Sequence, residues 1–391
     1  MDFTVPEELT ALRQSFASFL EREVRPLEEE HARQFWGEAP DRDVLAPVIR
    51  EVRRRSADEG FYAAYLPEEA GGQDLSVLGT TLLVEDAARS GMRLAMAAIA
   101  PPNPAGPSTL LLKLPRSLWD DYVFPVARAE KTMCFALTEP EAGSDAQSIR
   151  TRAVLEGDEW VINGHKHYIT NGENADFAIV FALTDPDKRA AGGITAFVVP
   201  SDQFRRGKLQ WNISDSHPAE LFFDDARIPA DHVIGEVGMG FFEAMAFLNA
   251  GRAYIGAQSL GLAEWCLGAA VDHAAKRTAF GKPLGKNQGV SFPLARSKAD
   301  IEAIRWLVYH LAWRVDSEGD PLSIMADASI TKFYATERAY EVADRALQVL
   351  GGMGLMREGP IERALRHLRM LRVVEGASEI QLLVIARSLG L

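Results

Sequence analysis

Residues 157–172 read G-D-E-W-V-I-N-G-H-K-H-Y-I-T-N-G. Short apolar runs here are separated by Gly157-Asp158, Asn163-Gly164 and Asn171-Gly172, the punctuation of hairpin turns. Strict alternation would put His165 and His167 on one strand face and Lys166 and Tyr168 on the other. The period of two extends in both directions. Val154, Ile179 to Phe181, Ile194 to Val199 (stopped by Pro200) and Ala219 to Phe223 read as further strands. A β domain is therefore expected over 132–229.

Both flanks read as helix. Leu9, Leu12, Phe16 and Phe19 recur at helical spacing behind Pro6 and two glutamates. Gly71-Gly72 breaks this region, and Pro101-Pro102-Asn103-Pro104 with Gly106-Pro107 marks an interhelical loop. That loop either shapes a pocket or only connects helices. Beyond Phe241, long Ala/Leu-rich segments are expected at 241–276, 289–317, 321–350, 361–374 and 378–389, an antiparallel bundle. The plan is mainly α with a central β domain: helices over 1–131, strands over 132–229, helices over 230–391.

Composition excludes several classes. The 391 residues carry a net charge of −13, which argues against a nucleic-acid grip. No apolar run is long enough for a membrane span. Cys134 and Cys266 form neither a disulfide framework nor a zinc spacing. The acidic start, Met1 to Glu8, resembles neither a signal nor a transit peptide, so a cytoplasmic location is expected. No nucleophile elbow, phosphate loop or His-Glu-x-x-His motif occurs.

Several stretches are candidates for chemistry. In Arg372 to Gln381, the helix from Ile361 should stop at Gly376, with Ser378 and Gln381 forming a capping box for the next one. Glu375 would then lie at a helix C-terminus, where the negative end of the dipole raises a carboxyl pKa and favours general-base work. A solvated turn glutamate is the alternative. The Ala136 to Asp145 loop offers backbone N–H groups to a ligand, or is an ordinary capped turn. His165-x-His167 could bind a metal, but no third ligand is evident, and no metal site is assigned. Arg277 to Leu284, followed by Gln288, is a basic Gly/Pro loop able to hold a phosphate or merely to join helices. Gln348 to Gly354 lacks the strand-turn-helix context of a dinucleotide fingerprint, which excludes a Rossmann nicotinamide site. Arg363, Arg366, Arg369 and Arg372 read as a salt-bridged helix face.

Four of these motifs in this order resemble the acyl-CoA dehydrogenase family along essentially the whole chain. They are A-L-T-E-P-E-A-G-S-D at 136–145, N-G-x-K-x-x-I-T-N-G at 163–172, R-T-A-F-G-K-P-L at 277–284, and the Gln348 to Gln381 stretch ending in E-G-A-S-E-I-Q. The resemblance implies an N-terminal helical domain, a small β-barrel-like domain and a C-terminal four-helix bundle. It also implies FAD, held between domains and across a subunit interface, usually in a homotetramer. Phe135, Leu137, Thr138, Gly143 and Ser144 would line the flavin, and Tyr168, Ile169 and Thr170 its other side. Arg277, Phe280, Gln288, Gln348, Gly351 and Gly352 would serve a neighbouring subunit's FAD. Ala377, Ser378 and Glu379 would lie near the adenosine end. Ser144, Asn249, Arg252 and Gly376 match acyl-CoA contacts. Tyr168 stands where Trp is common, Asn249 where Asp is frequent and Ala377 where Thr is frequent.

Glu375 matches the family's catalytic base. Some members carry the base just before the arginine equivalent to Arg252; here that residue is Gly251, which cannot act. The implied reaction is α,β-dehydrogenation of an acyl-CoA thioester to the trans-2-enoyl-CoA, in fatty acid metabolism. Glu375 removes the α-proton and flavin N5 accepts the hydride. An electron-transfer flavoprotein is the implied electron acceptor. An oxygen-using oxidase or monooxygenase, and a non-catalytic acyl-CoA-binding scaffold, are the alternatives.

Overall fold

The computed structural model of the chain describes residues 4–36, 42–102, 105–214, 216–318 and 323–391. Its first helices are α1 (Glu7–Phe19), α2 (Arg25–Glu30), α3 (Ala32–Trp36), α4 (Arg42–Asp58), α5 (Val77–Arg89) and α6 (Trp119–Ala127). Strands β1 (Met133–Ala136), β2 (Arg152–Glu156), β3 (Glu159–Ile169) and β4 (Phe177–Leu183) follow. Next come β5 (Ile194–Pro200), β6 (Arg205–Leu209), β7 (Ala219–Pro229) and β8 (Val233–Ile234). The chain returns to helix with α7 (Gly240–Lys276), then a hairpin of β9 (Thr278–Ala279) and β10 (Lys282–Pro283). It ends with α8 (Gln288–Glu318), α9 (Met325–Leu350), α10 (Pro360–Leu371) and α11 (Ser378–Ser388). The fold is thus mainly α with a central sheet. Asn103 and Pro104 of the Pro-rich loop, and residues 321 and 322 of the expected 321–350 helix, lie outside the described residues. Among the described residues no helix is long and apolar enough to cross a membrane.

The chain packs as two units. One comprises Ser56–Asp74 and Asn103–Leu248, the other Met1–Arg55, Leu75–Pro102 and Asn249–Leu391. The first, the sheet unit, holds strands in the order β6-β7-β3-β2-β4-β5-β8, with β1 parallel to β4. All seven residues of β4 are buried, the pattern of a strand covered on both faces. Alternation divides them between two cores. Phe177, Ile179, Phe181 and Leu183 join Leu110, Tyr122 and Val126, while Ala178, Val180 and Ala182 join Trp160, Phe197 and Phe223.

The second, helical unit packs α8 on α9, α10 and α11 on α9, and α5 on α8. Two glycines of α7 allow close helix approach: a Cβ at Gly256 would lie 2.7 Å from Val308 Cγ2, and one at Gly261 2.3 Å from Glu85 O. A buried ionic network ties α1, α5 and α8 together. Glu85 accepts from Tyr309 Oη at 2.6 Å and Arg305 Nη1 at 3.1 Å, while Arg13 grips Asp86 through Nε and Nη2, both at 2.7 Å. The arginine stripe of α10 is partly paired as expected: Arg366 meets Glu362 at 2.7 Å and Arg372 meets Glu337 at 2.6 Å.

Candidate functional site

In the helical unit, the turn after α10 decides the position of Glu375. The helix stops at Leu371 rather than at 374, because Met370 O receives both Val373 N–H (2.8 Å) and Val374 N–H (3.2 Å) as the chain tightens. Glu375 (φ 54°) and Gly376 (φ 88°) then occupy left-handed backbone in succession. A non-glycine residue held there carries strain that its surroundings must offset. Two fully buried side chains do so. Lys332 Nζ and Gln381 Nε2 each donate to Gly376 O at 2.8 Å. Any residue with a Cβ would be strained at the positive φ of Gly376, and that Cβ would also press on Gln381 Nε2 at 2.6 Å, which favours glycine.

The expected capping box is not formed. Ala377 is the N-cap of α11 and Ser378 its first residue. Ser378 Oγ donates to Glu337 Oε1 at 2.6 Å instead. Gln381 is used at Gly376, so the turn is anchored to α9 rather than capped locally.

Glu375 is half-buried, which removes the alternative of a freely solvated glutamate. Burial pushes its pKa above the ordinary carboxylate value, while the Lys332 and Arg252 charges pull it down. The expected helix-dipole cause is replaced by desolvation, since the residue stands beyond the helix end. Burial holds Lys332 at about 8. Arg252 is buried, donating through Nη1 to Asn249 Oδ1 (2.7 Å) and Ser329 Oγ (3.3 Å), and its Nε has no partner among the described residues. A Cβ at Gly251 would sit 3.7 Å from Glu375 Oε2. The two alternative positions for a base therefore converge on one point.

Arg277, Gln288, Gln348, Gly351 and Gly352 are all exposed. Phe280 and Gly281, both at positive φ, form the tip of the β9–β10 hairpin, and the Phe280 ring is 96% exposed. Ala377 is half-buried and Glu379 exposed.

In the sheet unit, the Ala136 to Asp145 segment leaves β1 and folds into a tight bridge, Glu139 to Ala142. Glu139 is buried and accepts from Lys166 Nζ (2.8 Å), Arg150 N–H (2.7 Å) and Thr151 N–H (2.9 Å). Lys166 is fully buried and also donates to Leu137 O at 3.0 Å. This anchor leaves Gly143 and Ser144 exposed at the tip. Thr138 O accepts His167 N–H at 2.9 Å, joining the loop to β3.

The strict alternation expected on β3 fails at its end. A register irregularity between Lys166 and Ile169 turns Tyr168 to φ 56°. Lys166 points into the unit, whereas Tyr168 is 61% exposed. Thr170 is exposed too, while Leu137 and Ile169 are core residues that offer a ligand only their backbone. Phe135 stacks on Phe247, centroids 5.7 Å apart.

Sequence reasoning missed Lys332, Gln381's clamp and the Glu139–Lys166 anchor. Lys332 had a signal: it falls at helical spacing with Ala328, Ala335, Thr336 and Ala339, the buried stripe of α9.

Three family models match the chain: the N-terminal domain of acyl-CoA dehydrogenase over residues 6–112, the middle domain over 134–226 and the C-terminal domain over 238–390. A probable acyl-CoA dehydrogenase of Mycobacterium leprae is 37% identical over 393 residues, covering 99% of this chain and 96% of its own. Butyryl-CoA dehydrogenase from Megasphaera elsdenii superposes with a TM-score of 0.86 at 33% identity, covering 100% of both chains. A chain from a structure of the electron transferring flavoprotein of Acidaminococcus fermentans gives a TM-score of 0.87 at 34% identity, covering 100% of this chain and 99% of its own.

Proposed function

This chain belongs to the acyl-CoA dehydrogenase family of FAD-dependent oxidoreductases, and on that premise we propose that it dehydrogenates an acyl-CoA thioester between Cα and Cβ, with Glu375 as the base. The observation that carries this reading is the Glu375 carboxylate itself. It is held in a strained turn, its pKa is raised by burial, and it faces the space left open by Gly251.

The residues present suit FAD. In the sheet unit, the exposed ring of Tyr168 offers a flat apolar surface, and Thr138, Ser144 and Thr170 offer hydroxyls. Among the described residues, no heavy atom beyond Gly143 and its two chain neighbours lies within 4 Å of where a Cβ on Gly143 would sit, so its backbone is open to a ligand. In the helical unit, Arg277, Phe280, Gln288 and Gln348 are free of the core, and Gly351 and Gly352 are equally open. The sheet-unit residues are the candidates to hold this chain's own FAD, Arg277, Phe280, Gln288, Gln348, Gly351 and Gly352 a neighbouring subunit's, and Ala377 and Glu379 the adenosine end. When bound, FAD supplies the two-electron acceptor for the hydride leaving Cβ.

The chain's own residues do the proton chemistry. Glu375 takes the α-proton onto its carboxylate. A thioester α-proton is weakly acidic, so a base with a raised pKa in a desolvated place narrows the gap. The backbone N–H of Glu375 is assigned to the thioester oxygen, where negative charge develops. The Arg252 and Lys332 charges oppose the rise in the Glu375 pKa and favour the ionised carboxylate. Ser144, Asn249, Arg252 and Gly376 are assigned to acyl-CoA. A homo-oligomer and an electron-transferring flavoprotein as oxidant complete the proposal, the latter supported by the structural neighbour above.

Anaerobic titration of the purified protein with a panel of acyl-CoAs tests this. The yellow chromophore should bleach with particular thioesters, which also identifies the acyl class. A flavin spectrum indifferent to the whole panel would refute the reading. Oxygen uptake, measured against transfer to an electron-transferring flavoprotein, identifies the acceptor.

The acid limb of kcat/KM should lie above the ordinary carboxylate range of about 4.3, because activity needs ionised Glu375 and its pKa is raised. Lys332→Met removes a charge that lowers that pKa, so the limb should move to still higher pH. A variant that only loosened the turn would lower the rate without moving the limb.

A further inference from the structure

The His165-x-His167 pair has a third partner that local sequence does not reveal. Antiparallel pairing sets His165 opposite Phe222 and Lys166 opposite Leu221, and the next residue of β7, Glu220, reaches the His167 ring of β3 where the register breaks. Glu220 Oε1 lies 3.4 Å from His165 Nε2 and 3.3 Å from His167 Nδ1. One ligand atom from each of the three side chains falls within 4.8 Å of the others. Among the described residues neither of those two imidazole nitrogens has a hydrogen-bond partner, although both atoms are buried.

We propose that His165, His167 and Glu220 form a three-ligand site for a divalent transition-metal ion of the zinc class on the β3–β7 pair. Zinc bonds of about 2.0–2.2 Å at tetrahedral angles place ligand atoms roughly 3.3–3.6 Å apart, close to the two separations found here. Two imidazoles and one carboxylate suit zinc and its first-row neighbours, and they disfavour magnesium or calcium, which take oxygen ligands.

The supporting contacts have the form such a site needs. Glu220 Oε2 accepts Lys208 N–H at 3.2 Å, leaving Oε1 toward the histidines. His165 stacks on Phe222, centroids 4.2 Å apart, which fixes its ring. Gln210 Nε2 stands 3.0 Å from His167 Nε2, while Gln210 Oε1 is buried without a partner among the described residues. Turning that amide over lets Oε1 accept from His167 Nε2–H, the tautomer that presents the Nδ1 lone pair to a metal. The side chains are 32%, 15% and 20% exposed for His165, His167 and Glu220, so an ion can enter and a water can complete the shell.

The test is independent of the proposed reaction. The FAD-loaded, full-length protein is stripped with chelator, dialysed and titrated with zinc chloride near neutral pH by calorimetry. One saturable zinc per chain is expected. Glu220→Gln and His167→Ala should each weaken binding by about tenfold or more, and Gln210→Leu by about tenfold, with the exposed His310→Ala as the unchanged control. X-ray absorption of the zinc-loaded protein should show nitrogen and oxygen neighbours at about 2.0–2.2 Å, imidazoles among them. No saturable uptake, uptake unchanged in Glu220→Gln, or a shell without imidazole would overturn the proposal. Flavin reduction by acyl-CoA is expected in both the stripped and zinc-loaded forms, so failure of that reaction would leave this result standing.

Discussion

Glu375→Gln is expected to leave a folded, yellow protein whose flavin no longer bleaches with acyl-CoA. The substitution keeps the side chain's size, and the bonds that hold the turn are made to the Gly376 carbonyl by Lys332 and Gln381, not to the Glu375 carboxylate. Flavin content and secondary structure should therefore match the parent protein. The amide cannot accept the α-proton, so the reductive rate should drop by at least the roughly 10²–10⁴-fold that a general base contributes. Anaerobic stopped-flow at the flavin absorbance reads this directly. A rate within twofold of the parent would remove Glu375 from the mechanism. Since a Cβ at 251 would lie 3.7 Å from Glu375 Oε2, moving the carboxylate to that position (Gly251→Glu with Glu375→Gly) should restore part of the lost rate.

The largest stability effect is expected at Glu139, in the sheet unit. Burial alone would raise the Glu139 pKa, but the Lys166 charge and the hydrogen bonds to the carboxylate outweigh it and hold the pKa below the ordinary value. Burial pushes Lys166 down to about 8 against the pull of Glu139. Glu139→Ala strands a fully buried ammonium and leaves the N–H groups of Arg150 and Thr151 without their acceptor. Breaking a buried pair from one side costs about 3–5 kcal/mol. Lys166→Met should cost less, because Glu139 keeps both backbone donors. Chemical denaturation of the two variants, compared at one pH, checks the order.

The sign of the pH dependence follows from linkage. In Glu139→Ala the folded Lys166 pKa falls further below its unfolded value of about 10.4. Between those two values the unfolded chain binds more protons, so the variant should gain stability as pH rises through that range. A flat profile would mean that Lys166 escapes to solvent.

Much of this molecule is legible locally. The apolar spacing of Leu9 to Phe19 and the turn dipeptides around β3 name their own elements, because a helix or strand buries one face at a fixed period. The long C-terminal helices were expected close to their observed limits for the same reason. The motif order by itself puts Glu375 among the candidates. The misreadings share one cause. Ser378 looked like a cap because it precedes an apolar run, yet its hydroxyl is taken by Glu337, 41 residues away. Lys166 and Tyr168 looked alike under strict alternation, yet a register irregularity sends one inward and the other out.

The order of helical and β regions, the turn positions and the identity of a candidate base are properties of neighbouring residues, and chain-local preferences suffice to read them. Whether Glu375 is desolvated, which cations face it and which strand brings Glu220 to the histidine pair depend on contacts between residues tens to more than a hundred positions apart. Lys332 reaches Gly376 across 44 residues, and His165 meets Glu220 only through the pairing of β3 with β7. Desolvation and Coulomb interaction act through space, so they are absent from any local pattern until packing brings the groups together.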